Sequence, residues 1–307
     1  MTKLIVIAGP TAVGKTDTGI SLAKAFNGEI ISGDSMQVFR GMDVGTAKVT
    51  EEEMDGIPHH LIDIKDPEES FSVAEFQEKA KQLIHDIGKK GKIPIIVGGT
   101  GLYLNAVIYD YDFSKKEGDS SYRDELQAFA DEYGNEALHL KLKEIDPKSF
   151  EELHPNNVRR VIRALEVFHH TGMSISERPD QPEESPYDHV IIGLTMEREL
   201  LYDRINKRVD IMIETGLIEE VNSLYKKGIR DCQSVQAIGY KEIYAFLEGS
   251  LTKEEAIESL KRNSRRYAKR QLTWFRNKMN INWFDMSTNR EKKLEEINQF
   301  VKDSCYK

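Results

Sequence analysis

The residues with the clearest chemical pattern lie near the N-terminus, in a glycine-bounded stretch that ends in lysine and threonine. After a short apolar run the chain reads Gly9-Pro10-Thr11-Ala12-Val13-Gly14-Lys15-Thr16. A glycine at each end lets the backbone curl and direct successive N–H groups toward an oxyanion. Lys15 adds a positive charge, Thr16 offers a hydroxyl to Mg²⁺, and the helix predicted next adds its positive N-terminal end. The stretch therefore predicts a loop that binds a di- or triphosphate.

A carboxylate is predicted close to this phosphate loop by the order of strands along the chain. Asp34 comes directly after a short predicted strand at 29–32. Because ligands of open α/β sheets bind beyond the carboxyl ends of the strands, we expect Asp34 to face the same crevice. A further apolar strand, predicted at 93–98, leads to Thr100. Thr100 is suited either to capping the next helix or to contacting a ligand, and the sequence leaves both interpretations open.

Basic side chains are concentrated on two predicted helices of an otherwise acidic chain. Residues 261–278 include no acidic residue, and Arg262, Arg265 or Arg266, and Lys269 repeat there at helical spacing. The set that we select is Arg262, Arg266 and Lys269. These three side chains, here called the basic stripe, would share one helix face, which suits the phosphates of a structured nucleic acid. A helix predicted at 157–170 carries further arginines off its apolar face: Arg159, Arg160 and Arg163. For both groups an ordinary solvated face is the alternative interpretation.

The elements that must position these residues alternate between strands and helices, which predicts an α/β fold with a parallel sheet. Apolar runs predict strands at 3–8, 29–32, 59–64, 93–98, 189–195 and 281–285. Helical patterns predict helices at 14–26, 72–87, 102–108, 197–215 and 291–301. Arg204 and Arg208 lie one turn apart on the helix predicted at 197–215, which Gly216 is expected to close.

The strand pattern stops between residues 111 and 188, where the charge rises. Helical patterns at 122–133, 136–145 and 157–170 predict a mostly helical inserted domain. Its exit, 178–186, is rich in proline and acidic residues, as is typical of a linker. The predicted organisation is a P-loop NTPase-like core domain formed by 1–110 and 189–307, with a helical insertion domain at 111–188.

Composition sets limits on location and on some classes of site. The chain has 307 residues, a net charge of −9 and 39% hydrophobic residues, which is ordinary for a soluble protein. Cys232 and Cys305 are too few and too far apart for a zinc cluster or a disulfide framework, which indicates a reducing compartment. No apolar run is long enough for a membrane span. We expect a cytoplasmic protein, monomeric and without a membrane partner.

A phosphate loop by itself leaves more than one class of enzyme open. The GTPase class is disfavoured, because the Asn-Lys pairs at 206–207 and 277–278 lack the aspartate that reads guanine. A P-loop kinase of nucleotides or small molecules remains an alternative. A carboxylate at a strand end, a helical insertion and a separate basic stripe instead favour a second, larger and polyanionic substrate.

Several motifs in series resemble the tRNA dimethylallyltransferases (tRNA isopentenyltransferases) of the bacterial type. The resemblance runs in order from the first strand to Trp274, and we expect no C-terminal zinc-binding extension of the kind that some relatives carry. Its motifs are residues 9–16, 32–48, 58–61, 98–103, 154–157, 163–166 and 236–241.

The resemblance implies a reaction and roles for particular residues. The phosphate loop would hold dimethylallyl diphosphate with Mg²⁺ on Thr16 and with Arg208 or Arg204. The dimethylallyl group would pass to the exocyclic amine of the adenosine 3′-adjacent to the anticodon, with Asp34 as general base and with Thr100 and Lys15 as further catalytic residues. The residues implied to hold the tRNA anticodon stem-loop are Asp34, Ser35, Met36, Gln37, Thr100, Arg123, Arg159, Arg160, Val161, Ile162, Arg163, Gln236, Ala237, Ile238, Gly239, Tyr240 and Lys241.

Overall fold

Six parallel strands form one sheet within the residues that the computed structural model describes, which are 1–113, 120–177 and 184–305. In chain order the strands are β1 (Lys3–Ala8), β2 (Gly28–Ser32), β3 (His59–His60), β4 (Ile93–Gly98), β5 (Asp188–Thr195) and β6 (Asn282–Asp285). In space the order is β3-β2-β4-β1-β5-β6. In the centre, Ile5 of β1 pairs with Ile95 on one side and with Val190 on the other. The predicted α/β class with a parallel sheet is confirmed.

Helices make up most of the remaining described chain. In order they are α1 (Lys15–Ala25), α2 (Glu51–Met54), α3 (Val73–Lys89), α4 (Gly101–Ile108), α5 (Ser120–Tyr133), α6 (Asn135–Leu140), α7 (Leu142–Ile145), α8 (Pro147–Glu152), α9 (Val158–Thr171), α10 (Arg198–Glu214), α11 (Leu217–Lys226), α12 (Tyr240–Leu247), α13 (Lys253–Lys278) and α14 (Arg290–Cys305). Among the described helices, none has the length and apolar character needed to cross a bilayer.

The chain divides into two compact units. The first is Met1–Asp110 with Glu183–Lys307, and the second is Tyr111–Pro182. The predicted insertion continues to 188, whereas Tyr187 packs against the core of the first unit and Asp188 pairs with Lys3 in the sheet. The predicted linker at 178–186 falls mostly outside the described residues.

Alternation along β1 explains why the first unit has a core on each face of the sheet. Leu4, Val6 and Ala8 point to one face, where α3 and α4 pack, and Ile5 and Ile7 point to the other, where α1 and α14 pack. All five side chains are buried. Successive side chains of a strand point to opposite faces, so a continuous apolar run is what a strand covered on both faces requires.

The carboxyl ends of the central strands place three loops at one edge of the sheet. Residues 9–14 follow β1, residues 33–37 follow β2, and Gly99 and Thr100 follow β4. These are the segments in which the sequence predicts ligand contacts, and their proximity follows from the strand order.

Several predicted elements differ from the observed ones for local reasons. The strand predicted at 59–64 ends at His60, because Leu61 and Asp63 have φ values of 62° and 54°. The helix predicted at 136–145 is interrupted at Lys141, between α6 and α7. Gly216 closes α10 as predicted, because it follows the C-cap Thr215 with φ 104° and donates its N–H to the Ile213 carbonyl at 3.4 Å, but it is also the N-cap of α11.

The second unit has its own small core of helices. Leu138, Leu142, Val161 and Leu165 are buried at its centre. The most buried ionisable group among its described residues is Glu166 of α9, which accepts hydrogen bonds from Arg123 and Arg163, so the buried charge is paired.

Candidate active site

The phosphate loop, residues 9–16, leads from the end of β1 into the first turn of α1. Ala12 and Gly14 have φ values of 64° and 101°, in the left-handed region that gives the loop its tight curl. A Cβ on Gly9 would stand 2.7 Å from the carbonyl oxygen of Leu194, so only glycine fits there. The predicted diphosphate residues from Gly9 to Thr16 thus form one loop at the N-terminus of α1, where backbone N–H groups favour an anion.

Lys15 and Arg208 bring two positive charges to this loop. Lys15 Nζ donates to the Pro10 carbonyl at 2.7 Å, and Arg208 Nη1 donates to Thr11 Oγ1 at 3.3 Å. Burial, and then the charge of Arg208, lower the pKa of Lys15 to about 8, while Asp34 opposes the shift. Burial also lowers the pKa of Arg208. Two neighbouring cations in a partly desolvated position favour binding of an anion.

Asp34 follows β2 and is oriented by its own turn. Its Oδ1 accepts hydrogen bonds from the backbone N–H groups of Met36, at 2.8 Å, and Gln37, at 3.4 Å. Oδ2 has no hydrogen-bond partner among the described residues. Beside the larger effects of burial, the Asp34 charge acts to raise the pKa of Lys15 and of Tyr267, which shows that the carboxylate lies in the same electrostatic environment. Its free oxygen can therefore accept a proton next to the phosphate loop.

A cavity of about 360 Å³ joins these groups. Its polar wall includes Thr11, Asp34 and Arg208, and α10 supplies apolar side chains from the face that carries Arg208. The apolar lining residues are Met36, Ile205, Val209, Met212, Ala237, Ile238 and Leu260, and the others are Ser35, Gly45, Thr46, Gln236, Lys241, Ser264, Tyr267 and Arg270. An apolar wall facing a few convergent polar groups is typical of a small-molecule site.

The contribution of α13 to this site was not predicted from the sequence. Tyr267 and Arg270 line the cavity, while the buried Gln271 accepts a hydrogen bond from Thr11 N at 2.9 Å and donates one to the Gly99 carbonyl at 3.0 Å. Burial, and then the charge of Asp34, raise the pKa of Tyr267 to about 12. The spacing of Tyr267 and Gln271 could have indicated this contribution, because the two residues lie four positions apart on the helix face opposite the basic stripe.

Some predicted site residues lie outside the cavity. Arg204 is exposed and its Nη1 contacts Met196 Sδ at 3.9 Å, so Arg208 is the arginine that reaches the phosphate loop.

Thr16 is exposed in the first turn of α1. Thr100 stands at the N-cap of α4 without a side-chain capping bond, which corrects the capping interpretation. The side chain of Gln37 donates to the Thr46 carbonyl at 3.4 Å.

Burial corrects the implied tRNA contacts of three side chains. Val161 and Ile162 are 0% and 3% exposed because they form part of the core of the second unit. Tyr240 is 0% exposed, and its hydroxyl donates to Glu220 Oε1 at 2.6 Å. Gly239, also buried, donates its N–H to Glu242. Of the stretch 236–241, Gln236 and Lys241 carry exposed side chains at the cavity.

The basic stripe is solvent-exposed along α13. Arg262, Arg266 and Lys269 are all exposed, as the helical spacing predicts. Arg262 donates within its own helix to Ser259 Oγ at 3.1 Å, whereas two other basic residues of α13 are paired with α10: Lys261 forms an ion pair with Asp210 at 2.7 Å, and Arg265 donates to Asn206. The three stripe residues are therefore available to a polyanion.

The arginines of the second unit fall into two groups. Arg123 and Arg163 bond to the buried Glu166 at 2.8 and 3.0 Å. Burial acts to raise the pKa of Glu166, but these hydrogen bonds outweigh it and lower the pKa. Arg159 and Arg160 are exposed at the start of α9. The first pair thus has a structural partner, whereas the second pair faces solvent.

Comparisons with known proteins agree over nearly the whole chain. The family model described as IPP transferase matches residues 37–278. A tRNA dimethylallyltransferase of Halalkalibacterium halodurans is 63% identical over 302 residues, covering 97% of this chain and 96% of the relative. One of Bacillus cereus is 61% identical over 300 residues, covering 97% of this chain and 94% of the relative.

Solved structures show the same fold. A full-length tRNA isopentenylpyrophosphate transferase of Bacillus halodurans gives a TM-score of 0.77 at 61% identity, over 99% of this chain and 97% of that one. A eukaryotic dimethylallyltransferase acting on tRNA gives a TM-score of 0.84 at 32% identity, over 98% of this chain and 78% of that one. The chain therefore belongs to the IPP transferase family of prenyltransferase enzymes and is of the bacterial type.

Proposed function

We propose that this enzyme transfers a dimethylallyl group from dimethylallyl diphosphate to the exocyclic amine of the adenosine 3′-adjacent to a tRNA anticodon. The observation that carries the proposal is the shared cavity, bordered by the phosphate loop, Arg208, Asp34 and an apolar wall. The phosphate loop and Arg208 suit the charge of the diphosphate, and the apolar wall suits the five-carbon chain. The Asp34 carboxylate can accept the proton of the acceptor amine. Membership of the IPP transferase family supports the same activity, and a tRNA substrate favours a cytoplasmic location.

The leaving diphosphate would be held by the loop N–H groups, the N-terminus of α1, Lys15 and Arg208. These groups stabilise the negative charge that grows on the bridging oxygen as the C–O bond breaks. Mg²⁺ suits this position, because the exposed Thr16 hydroxyl adjoins Lys15 and because Mg²⁺ typically combines few protein ligands with water and substrate phosphate oxygens. When bound, the ion would supply further neutralisation of the diphosphate.

The transfer breaks one bond, forms another and releases one proton. The bond from the allylic carbon to the diphosphate oxygen breaks, a C–N bond to adenosine forms, and the amine loses one proton. The amine is a weak nucleophile because its lone pair is delocalised into the purine ring. Asp34 Oδ2 takes that proton, while Thr100, at the N-cap of α4, helps to orient the amine.

The tRNA would be bound by exposed basic groups, with the target base taken out of its stack. A base inside a stack cannot reach a partly buried phosphate loop, so the adenine must be flipped. The basic stripe, Arg159 and Arg160 supply solvent-exposed charges suited to RNA phosphates. Gln236 and Lys241, at the cavity, are placed to contact nucleotides beside the target.

A label-transfer assay tests the proposal. With Mg²⁺, carbon-labelled dimethylallyl diphosphate should place its label on tRNA with release of diphosphate, and a tRNA carrying guanosine at the target position should receive none. ATP with tRNA or small acceptors should give no phosphorylated product. Phosphate transfer from ATP, with no label reaching tRNA, would refute the proposal in favour of the kinase alternative.

A further inference from the structure

The loop 41–48, which borders the cavity, is held by a carboxylate from a distant part of the chain. Glu220, in the first turn of α11, accepts the backbone N–H groups of Asp43 and Val44 at 2.8 Å each and of Gly45 at 3.0 Å. The hydroxyl of Tyr240 donates to the same carboxylate at 2.6 Å. Successive N–H groups that surround one anion form a nest, and hydrogen bonds to a charged acceptor are stronger than neutral ones.

Tyr240 also fits the loop by shape. A Cβ on Gly45 would stand 2.5 Å from a ring carbon of Tyr240, so the ring requires glycine at this position. Burial, and then the charge of Glu220, raise the pKa of Tyr240, which keeps its hydroxyl protonated and donating. Glu220 and Tyr240 together, here called the loop clamp, thus hold the loop by both hydrogen bonds and packing.

Two residues after the clamped Gly45, the loop contacts Arg208 on the diphosphate side of the cavity. Gly45 and Thr46 line the cavity, and the carbonyl of Ala47 accepts a hydrogen bond from Arg208 Nη2 at 3.5 Å. The other guanidinium nitrogen of Arg208 donates to Thr11 in the phosphate loop. Within the described part of the chain, the loop therefore supplies one of the two hydrogen bonds that hold the Arg208 guanidinium.

We propose that the loop clamp positions Arg208 for the diphosphate of the substrate. Neither Glu220 nor Tyr240 lines the cavity, so both are positioning residues that act through the loop 41–48. A displaced loop would remove the Ala47 contact and leave the arginine fork with a wider range of orientations, which weakens a charge-assisted contact. The inference rests on the proposed function, in which Arg208 binds diphosphate.

Substitutions in the clamp should weaken diphosphate binding selectively. In Glu220→Gln one carboxylate oxygen becomes an NH₂ donor that faces other donors. We expect the Kd for inorganic diphosphate and the KM for dimethylallyl diphosphate each to rise about tenfold, the scale of one strong hydrogen bond, with the KM for tRNA unchanged. Tyr240→Phe keeps the ring and loses one hydrogen bond, so the same parameters should rise about threefold. Glu219→Gln, an exposed neighbour in the same helix turn, is the matched control and should match wild type.

A double-mutant cycle distinguishes positioning from a general effect on folding. In an Arg208→Ala background, Glu220→Gln should not raise the Kd for diphosphate further, because the group that it positions is gone. The proposal is overturned if Glu220→Gln binds diphosphate like Glu219→Gln, if its effect is undiminished without Arg208, or if it only lowers the active fraction at unchanged Kd and KM. Absence of label transfer by wild-type enzyme would refute the proposed function instead, and the diphosphate titrations would still test the clamp.

Discussion

The charges of the cavity and those of the basic stripe are held in opposite ways. Lys15 and Arg208 are partly buried, each bonds to protein oxygens, and burial lowers the pKa of both. The stripe residues Arg262, Arg266 and Lys269 instead stand in solvent on α13. The same helix faces the cavity with Tyr267, so one element serves both environments.

This difference indicates two kinds of electrostatic interaction with substrate. A fixed charge in a partly desolvated cavity acts strongly on a small anion at contact distance, because water does not screen it fully. Solvated charges act together on a polyanion, and salt screens them within about 10 Å at 0.1 M. Single substitutions in the cavity should therefore change the chemical step, whereas substitutions in the stripe should change tRNA binding in graded steps.

The largest effect is expected from removing the proton acceptor. Asp34→Asn keeps the side-chain shape and an oxygen for the turn, but the amide is not a useful base. Single-turnover transfer should fall by about 10²- to 10⁴-fold, as loss of a general base does, while the Kd for tRNA stays near wild type. Asp66→Asn, which changes an exposed carboxylate outside the cavity, is the control. A rate for Asp34→Asn within a few-fold of wild type would remove Asp34 from this role.

Replacing the partly buried Lys15 should lower the activity of the enzyme and raise its stability. Lys15→Met should lower transfer by about 10²- to 10³-fold, because one of the positive charges that stabilise the leaving diphosphate is lost. At pH 7, below the Lys15 pKa of about 8, the folded chain carries this charge against the effect of burial. The free energy of unfolding should therefore rise in the variant, by about 1–2 kcal/mol. Urea denaturation measures it, and a less stable Lys15→Met protein would contradict the assignment of a Lys15 charge held against the effect of burial.

The two regions also differ in how far the sequence predicts them. The phosphate loop is specified by neighbouring residues, and Asp34 follows from strand order, so both were predicted. Contacts between distant segments were not: Gln271 bonds to Thr11 across 260 positions, and Glu220 reaches Asp43 across 177. Spacing along a helix shows which residues share a face, but the packing partner of that face depends on the whole fold.

The next prediction tests whether the basic stripe contributes to tRNA binding through separate phosphate contacts. Replacing Arg262, Arg266 and Lys269 together with glutamine should lower the log–log salt slope of tRNA binding by about 0.7–0.9 per lost phosphate contact. The rate at saturating tRNA and the Kd for diphosphate should stay unchanged. The matched triple variant of Lys261, Arg265 and Arg276 removes equal charge from the same helix, but from side chains that already contact groups of α10 or β6. Equal slopes in the two triple variants would show that the stripe makes no particular contact.

The smallest effect is a pH dependence that belongs to the cavity alone. Lys15 is protonated below its pKa of about 8 and neutral above it. Bound diphosphate favours the protonated form, so binding should weaken as the pH rises from 7 to 9, by up to about tenfold if the neutral lysine contributes nothing. Because diphosphate itself also titrates, the comparison variant is Lys15→Arg, whose guanidinium stays charged throughout this range. Calorimetric titration with inorganic diphosphate gives both curves, and their ratio isolates Lys15. A constant ratio between pH 7 and 9 would show that the ammonium keeps its proton in the cavity, and that Arg208 and burial do not depress its pKa as far as the structure indicates.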